Sequence, residues 1–108
     1  MVISTRFDAP RAFVVALWGR TDLDKHGRLE AVFGEAQASG DPVVVDLAGL
    51  ALCEAPLLGH LLAVRLKTRL ILVGPLSMHV QRRLDVTNTA TVFEILPDLT
   101  SALARLSL

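Results

Sequence analysis

The sequence predicts an α/β domain: one mixed β-sheet flanked by helices, in the order ββαβαβαβα over residues 1–108. Three observations predict it. Two β-rich runs at the start are separated only by a short, proline-containing connection. Beyond them, apolar strand-like runs alternate with stretches whose apolar residues recur at helical spacing. The length, 108 residues, suits one domain. Strands that alternate with helices pair in parallel through right-handed crossovers, so the later strands are expected to be parallel.

The first strand is VISTRF, residues 2–7, which alternates roughly; DAPR then turns, and AFVVALW, residues 12–18, is the second strand of a hairpin. A helix is expected over 22–38, because Leu29, Val32, Phe33 and Ala36 form one apolar stripe at i, i+3, i+4 and i+7. Thr21 or Asp22 is a candidate cap and Gly40 lies just past its end. Gly27 and Gly34, read as lying inside that helix, each weaken it by roughly 1 kcal/mol relative to alanine.

PVVVDL, residues 42–47, is a continuous β-branched run, the pattern of a strand buried on both faces. A helix over 57–67, apolar nearly all round, follows; RLILVG, residues 69–74, is another buried strand. SMHVQRRL, residues 77–84, reads as a short helix capped by Ser77, and TVFEI, residues 91–95, as an alternating strand. Pro97 and Asp98 open a last helix carrying Leu99, Ala102, Leu103 and Leu106 at helical spacing. Asn88, between a helix and a strand, suits a left-handed backbone position.

Composition narrows the function. Hydrophobic residues make up 52% and charged residues 20%, so the chain has the means to bury a core. Eleven basic side chains balance eleven acidic ones, which gives no steering onto nucleic acid or an anionic membrane. The longest uncharged apolar run, 55–64, is interrupted by Pro56, Gly59 and His60 and is far shorter than the ~20 residues that span a bilayer, so no membrane insertion is expected. Arg6 and Asp8 interrupt any signal-peptide core, and a single cysteine forms no internal disulfide; the cytoplasm is the expected compartment.

No GxGxxG, glycine-rich phosphate loop or GxSxG is present, so neither an enzyme activity nor a cofactor is expected. Cys53, Glu54 and His60 are near in sequence, but His60 lies about two helical turns away, pointing away from Cys53, and no metal site is expected. Cys53 reads as a small buried hydrophobe and His60 as a half-buried helix residue, with His26 and His79 on the surface. Gln81–Arg83 is a short basic patch, either a solvated face or a rim for an acidic partner. In sheets of this kind binding sites lie outside the carboxyl ends of the strands. LALCEAPLLGHLL, residues 50–62, falls there, with a carboxylate at Glu54 and a helix-start proline at Pro56.

With Asp46 to Leu62 in view, the sequence resembles the STAS family, the fold of anti-sigma factor antagonists, over nearly its whole length. ALWGRTDL is similar to the family's second strand and Gly-x-x-Asp turn, carried by Gly19 and Asp22. VVVDLAGLALCEAPLLGHLL resembles the central motif, a strand ending Asp-Leu-Ser-Gly followed by Asp-Ser-Ser-Gly-Leu-Gly at a helix start. Asp46, Leu47, Gly49, Leu58, Gly59, Leu61 and Leu62 match it. LILVGPLSMHVQRRLDVTNTATVFEI resembles the next strand, helix and strand, with Asn88 where glycine is common.

The resemblance implies a protein-interaction module in transcription control. In that family a partner kinase, itself an anti-sigma factor, phosphorylates the Ser or Thr after the motif Asp. The unphosphorylated form binds that partner and so releases a sigma factor. Here Glu54 falls at the motif Asp, Ala55 at the phosphorylated hydroxyl, Pro56 at the second Ser and Leu57 at the Gly. Ala55 has no acceptor oxygen, so phosphorylation at that position is chemically impossible. The implied partner is an anti-sigma factor or serine kinase-like protein, met by Asp22, Glu54, Ala55, Pro56, Leu57, Leu58 and His60. A structural STAS subunit of a larger signalling or lipid-transport assembly is the alternative, a small-ligand domain ranks last, and self-association into a homodimer is left open.

Overall fold

The computed structural model describes residues 2–19 and 27–108. Five strands and four helices follow one another in the predicted order. Strands β1 (Val2–Asp8) and β2 (Arg11–Gly19) form the antiparallel hairpin, with Asp8 opposite Arg11 across the Ala9–Pro10 turn. The remaining strands, β3 (Val43–Leu50), β4 (Leu70–Val73) and β5 (Glu94–Leu96), join in parallel, and the sheet order is β1-β2-β3-β4-β5.

Both faces of this sheet are covered, and the pleat assigns each residue to one of them. Phe13, Val15, Leu17, Val43, Val45, Leu47, Leu70 and Leu72 point to the side of α1 (Arg28–Ser39), α2 (Ala55–Lys67) and α3 (Met78–Val86). Ala12, Val14, Val44, Ile71 and Val73 point to the other side, where α4 (Leu99–Leu106) packs through Ala102, Leu99, Leu103 and Leu106. Two-sided burial is why residues 43–45 are uniformly valine rather than alternating with polar residues.

The helix ends follow their sequence signals. The Ser77 hydroxyl caps α3 by accepting from the Val80 N–H at 3.2 Å, and the Asp98 carboxylate caps α4 by accepting from the Ser101 N–H at 2.7 Å. Gly40 ends α1 in the left-handed region at φ 73°, and Asn88 takes the same region at φ 58°.

Several boundaries differ from expectation. The predicted first turn of the helix at 22–38, with its cap at Thr21 or Asp22, lies outside the described residues. Gly27 stands at the N-cap of α1 with φ 68°, a left-handed conformation that favours glycine, so it is not a helix-interior glycine. Strand β3 runs on to Leu50 instead of stopping at Leu47, because Trp18 and Gly19 pair with Gly49 and Leu50 beyond an irregularity in the ladder. A Cβ on Gly49 would lie 2.6 Å from the Trp18 Cβ, so glycine permits that approach.

Helix α2 begins at Ala55, two residues before the expected start, and α3 continues to Val86. The last strand is Glu94–Leu96 rather than 91–95. Val92 is committed elsewhere: its N–H donates to the Thr89 carbonyl at 3.0 Å, and its carbonyl accepts from Arg65 Nε at 2.6 Å. Among the described residues no helix is long and apolar enough to cross a membrane.

Candidate functional site

Parallel strands bring their carboxyl ends to one edge. Leu50, Val73 and Leu96 end β3, β4 and β5 there, and residues 51–54 leave β3 along that edge to start α2. Three hydrogen bonds hold this connection. The Ala51 N–H donates to the Gly19 carbonyl at 2.9 Å. The Ser77 hydroxyl donates to the Ala51 carbonyl at 2.9 Å, and Arg83 Nε donates to the Cys53 carbonyl at 3.0 Å. The Asp46 carboxylate also accepts from the Ala48 N–H at 3.0 Å, within β3 where its pairing with β2 is irregular.

Glu54 has extended backbone, with φ −89° and ψ 166°, and stands at the N-cap of α2 without a side-chain cap hydrogen bond. Its longer side chain does not reach back as Asp or Ser does. Its carbonyl accepts the first helical bond, from the Leu58 N–H at 3.1 Å. Ala55 and Pro56 occupy the first turn, where the missing proline N–H costs no helical bond. Glu54, Ala55 and Pro56 are all exposed.

The remaining residues grouped with them fall differently. Leu57 and Leu58 are 3% and 7% exposed and pack in the core, so they anchor α2 rather than present a surface. His60 is half-buried and stacks on Phe33 of α1, with ring centroids 5.7 Å apart and an interplanar angle of 23°. It faces the α1–α2 contact. Asp22 lies outside the described residues. The exposed residues of α2 are instead Ala55, Pro56, Gly59, Ala63 and Leu66, with Arg65 and Lys67 in the last turn, a side that spacing alone did not separate from the buried one.

Between this junction and α3 lies a cavity of about 340 Å³ whose walls include Leu52, Cys53, Glu54, His79, Arg82 and Arg83. Burial pushes the Cys53 thiol above its ordinary pKa, an effect the nearby Arg83 guanidinium partly opposes. The thiol is therefore protonated at neutral pH and is not an activated nucleophile. On the far side of α3 a shallower concavity of about 640 Å³ runs past Gly74, Pro75, Leu96 and Pro97 at the ends of β4 and β5. Along this edge the structure presents helix-start backbone, exposed apolar surface and charged side chains.

Solved structures share this architecture from end to end. An anti-sigma factor antagonist from Mycobacterium paratuberculosis matches with a TM-score of 0.82, covering 98% of this chain and 92% of that one at 22% identity. An anti-sigma-factor antagonist (STAS) domain protein from Planctomyces limnophilus matches at 0.83, covering 99% and 98% at 16% identity. The chain has the STAS fold. No family model and no curated protein matches the sequence.

Within this STAS fold, Ala55 occupies the first turn of the helix that follows the central strand. Its methyl group is exposed, so no atom at this position can accept a phosphoryl group, although the surface around it is open. The residues that sequence reasoning passed over are His79 and Val86, which line the cavity from α3. His79 read as solvated surface and Val86 carried no signal, because the chain folds α3 against residues 52–54 from about thirty positions away.

Proposed function

We propose that the chain is a protein-interaction module of the anti-sigma factor antagonist kind. It binds an anti-sigma factor or a serine kinase-like protein at the carboxyl edge of its parallel strands, without phosphorylation at position 55. The observation that carries this reading is the exposed Ala55 methyl between Glu54 and Pro56, in a chain that matches antagonist structures over 98–99% of its length. A phosphate would add a charge of about −1.5 to −2 at the start of α2 and so change what binds there. Without an acceptor oxygen the surface stays in one charge state, which supports constitutive binding.

The test is to incubate the chain with kinase-type anti-sigma factors and ATP, then read intact mass and complex formation together. The expected result is a complex with no added phosphate, whereas Ala55→Ser acquires one phosphate and loses the complex as it does so. Stoichiometric phosphate on the parent chain overturns the reading, and so does failure to bind any such partner.

A second reading, a structural subunit of a larger signalling or lipid-transport assembly, draws on the outward face of α2. Leu66 there is 83% exposed, and no charged side chain interrupts Ala55, Pro56, Gly59 and Ala63. Light scattering separates the two: this reading requires a persistent oligomer or a co-purifying partner, and a well-behaved free monomer removes it.

A further inference from the structure

Helix α3 carries outward-facing side chains that its packing does not use. Only Val80 and Leu84 of its nine residues are buried. Met78 and Val86 are 78% and 72% exposed, two of the five large apolar side chains exposed among the described residues. Arg82 lies between them at i+4 from Met78, with Val86 at i+8, so the three form one ridge along the helix.

Arg82 lines both concavities, the one beside the junction and the one beside β4 and β5, while Val86 lines the first and Met78 the second. Its guanidinium has no hydrogen-bond or ion-pair partner among the described residues. Arg83 beside it is already tied to the Cys53 carbonyl. The charges on either side limit what Arg82 can receive: Glu54 stands in one concavity and Asp85 in the other. A run of acidic residues laid across the ridge would meet a carboxylate at each end, whereas a single carboxylate at Arg82 would not.

We propose that α3 is a docking ridge for a protein segment that presents one acidic side chain to Arg82 and aliphatic side chains to Met78 and Val86. The proposal rests on the reading that this edge of the sheet is the partner-binding edge, and it adds the chemistry of the partner. Charge complementarity selects the occupant. A cation is repelled by Arg82 and Arg83, and a polyanion is repelled by Glu54 and Asp85. An aliphatic-acid-aliphatic pattern satisfies the apolar ends and the Arg82 guanidinium together.

The test uses the full chain labelled with ¹⁵N and three capped, soluble peptides. One carries a single glutamate between leucines, one lysine at that place, and one four consecutive glutamates. The single-glutamate peptide is expected to shift the amide signals of Met78, Arg82 and Val86 and of residues 52–54 in a saturable way. The lysine peptide should leave them unmoved and the polyglutamate should bind more weakly. Arg82→Glu should weaken the single-glutamate peptide about tenfold or more, Arg82→Gln less, and Glu54→Gln should tighten it, because a rim charge on the same side as the ligand's opposes it. Both arginine variants alter an exposed side chain, and unchanged amide dispersion confirms their fold.

Equal shifts from the lysine peptide, saturable shifts confined to another face, or no saturable shift overturns the proposal. The two readings fail separately. If the captured anti-sigma partner still binds Arg82→Glu at parental affinity, the docking ridge is wrong and the proposed function stands. If the single-glutamate peptide binds α3 but no anti-sigma factor binds the chain, the ridge stands and the function assigned to it is wrong.

Discussion

Arg83 Nε donates to the Cys53 carbonyl at 3.0 Å, joining the third helix to the segment that starts the second. Thirty residues separate the two in sequence. With the Ser77 hydroxyl on the Ala51 carbonyl, this bond makes the junction and α3 one surface instead of two neighbouring loops. Helix α3 contributes only Val80 and Leu84 to the core, so these polar ties carry much of its placement.

Arg83→Ala is therefore expected to lower the unfolding free energy by about 1 kcal/mol, the usual net worth of one such hydrogen bond. It should also raise the Cys53 pKa further, because the guanidinium lowers it. Denaturant midpoints read the first effect and the pH dependence of thiol alkylation reads the second. An unchanged midpoint together with an unchanged thiol titration would show that the bond does not persist in solution.

Glycine substitutions should separate by what a methyl group meets. At Gly49 an added Cβ falls 2.6 Å from the Trp18 Cβ, between two paired strands, so Gly49→Ala is expected to cost about 1–3 kcal/mol. Gly34 and Gly59 sit within helices, and a Cβ on either meets nothing within 4 Å. Gly34→Ala and Gly59→Ala should each stabilise the chain by roughly 0.5–1 kcal/mol. Thermal melts of the three variants check the order, and a stabilised Gly49→Ala would show that β2 and β3 do not approach there as described.

Much of this fold was legible because its signals are local. The valine run at 43–45 announces a strand covered on both sides, and the stripe Leu29, Val32, Phe33 and Ala36 announces a helix face. What could not be read depends on distant chain. The β-branched run predicts a strand only as far as Leu47; its extension to Leu50 comes from pairing with Trp18 and Gly19. Thr91 and Val92 alternate like a strand, yet Val92 has its backbone groups taken by Thr89 and Arg65. At the site, Glu54 and Pro56 signal a helix start in the sequence, although the helix begins at Ala55 and not at Leu57. The burial of Leu57 and Leu58 was not readable, because a helix that is apolar nearly all round does not declare which side faces the sheet.

The opposite end of the sheet supplies another test. Asp41 is buried just before β3, where Arg11 reaches its carboxylate at 2.9 Å and Arg6 at 3.4 Å, both from the β1–β2 hairpin. The pairing fastens the antiparallel hairpin to the parallel part of the sheet. Asp41→Asn keeps the shape and removes the charge, and is expected to cost about 1–2 kcal/mol. Arg11→Gln should destabilise more than Arg6→Gln, following the shorter contact. Urea unfolding of the three variants measures this, and an inverted order of the arginines would contradict the geometry.

Cys53 gives the chain an alkaline signature whose sign is fixed. Burial raises the thiol pKa in the folded state above the ordinary value of 9.0 that the unfolded chain has. Below that value both states hold the proton, and the contribution to stability is fully present. As pH rises past it, the unfolded chain releases the proton while the folded chain retains it, so stability falls until the folded pKa is passed. Cys53→Ala removes this titration and introduces its own packing loss, which does not vary with pH. The difference in unfolding free energy between the parent and Cys53→Ala should accordingly be constant from pH 6 to about 8 and shrink as pH rises above about 9. Urea denaturation across that range measures it. A difference that stays flat above pH 9 would mean that the thiol is as easily ionised in the folded chain as in the unfolded one, contrary to its burial against α3.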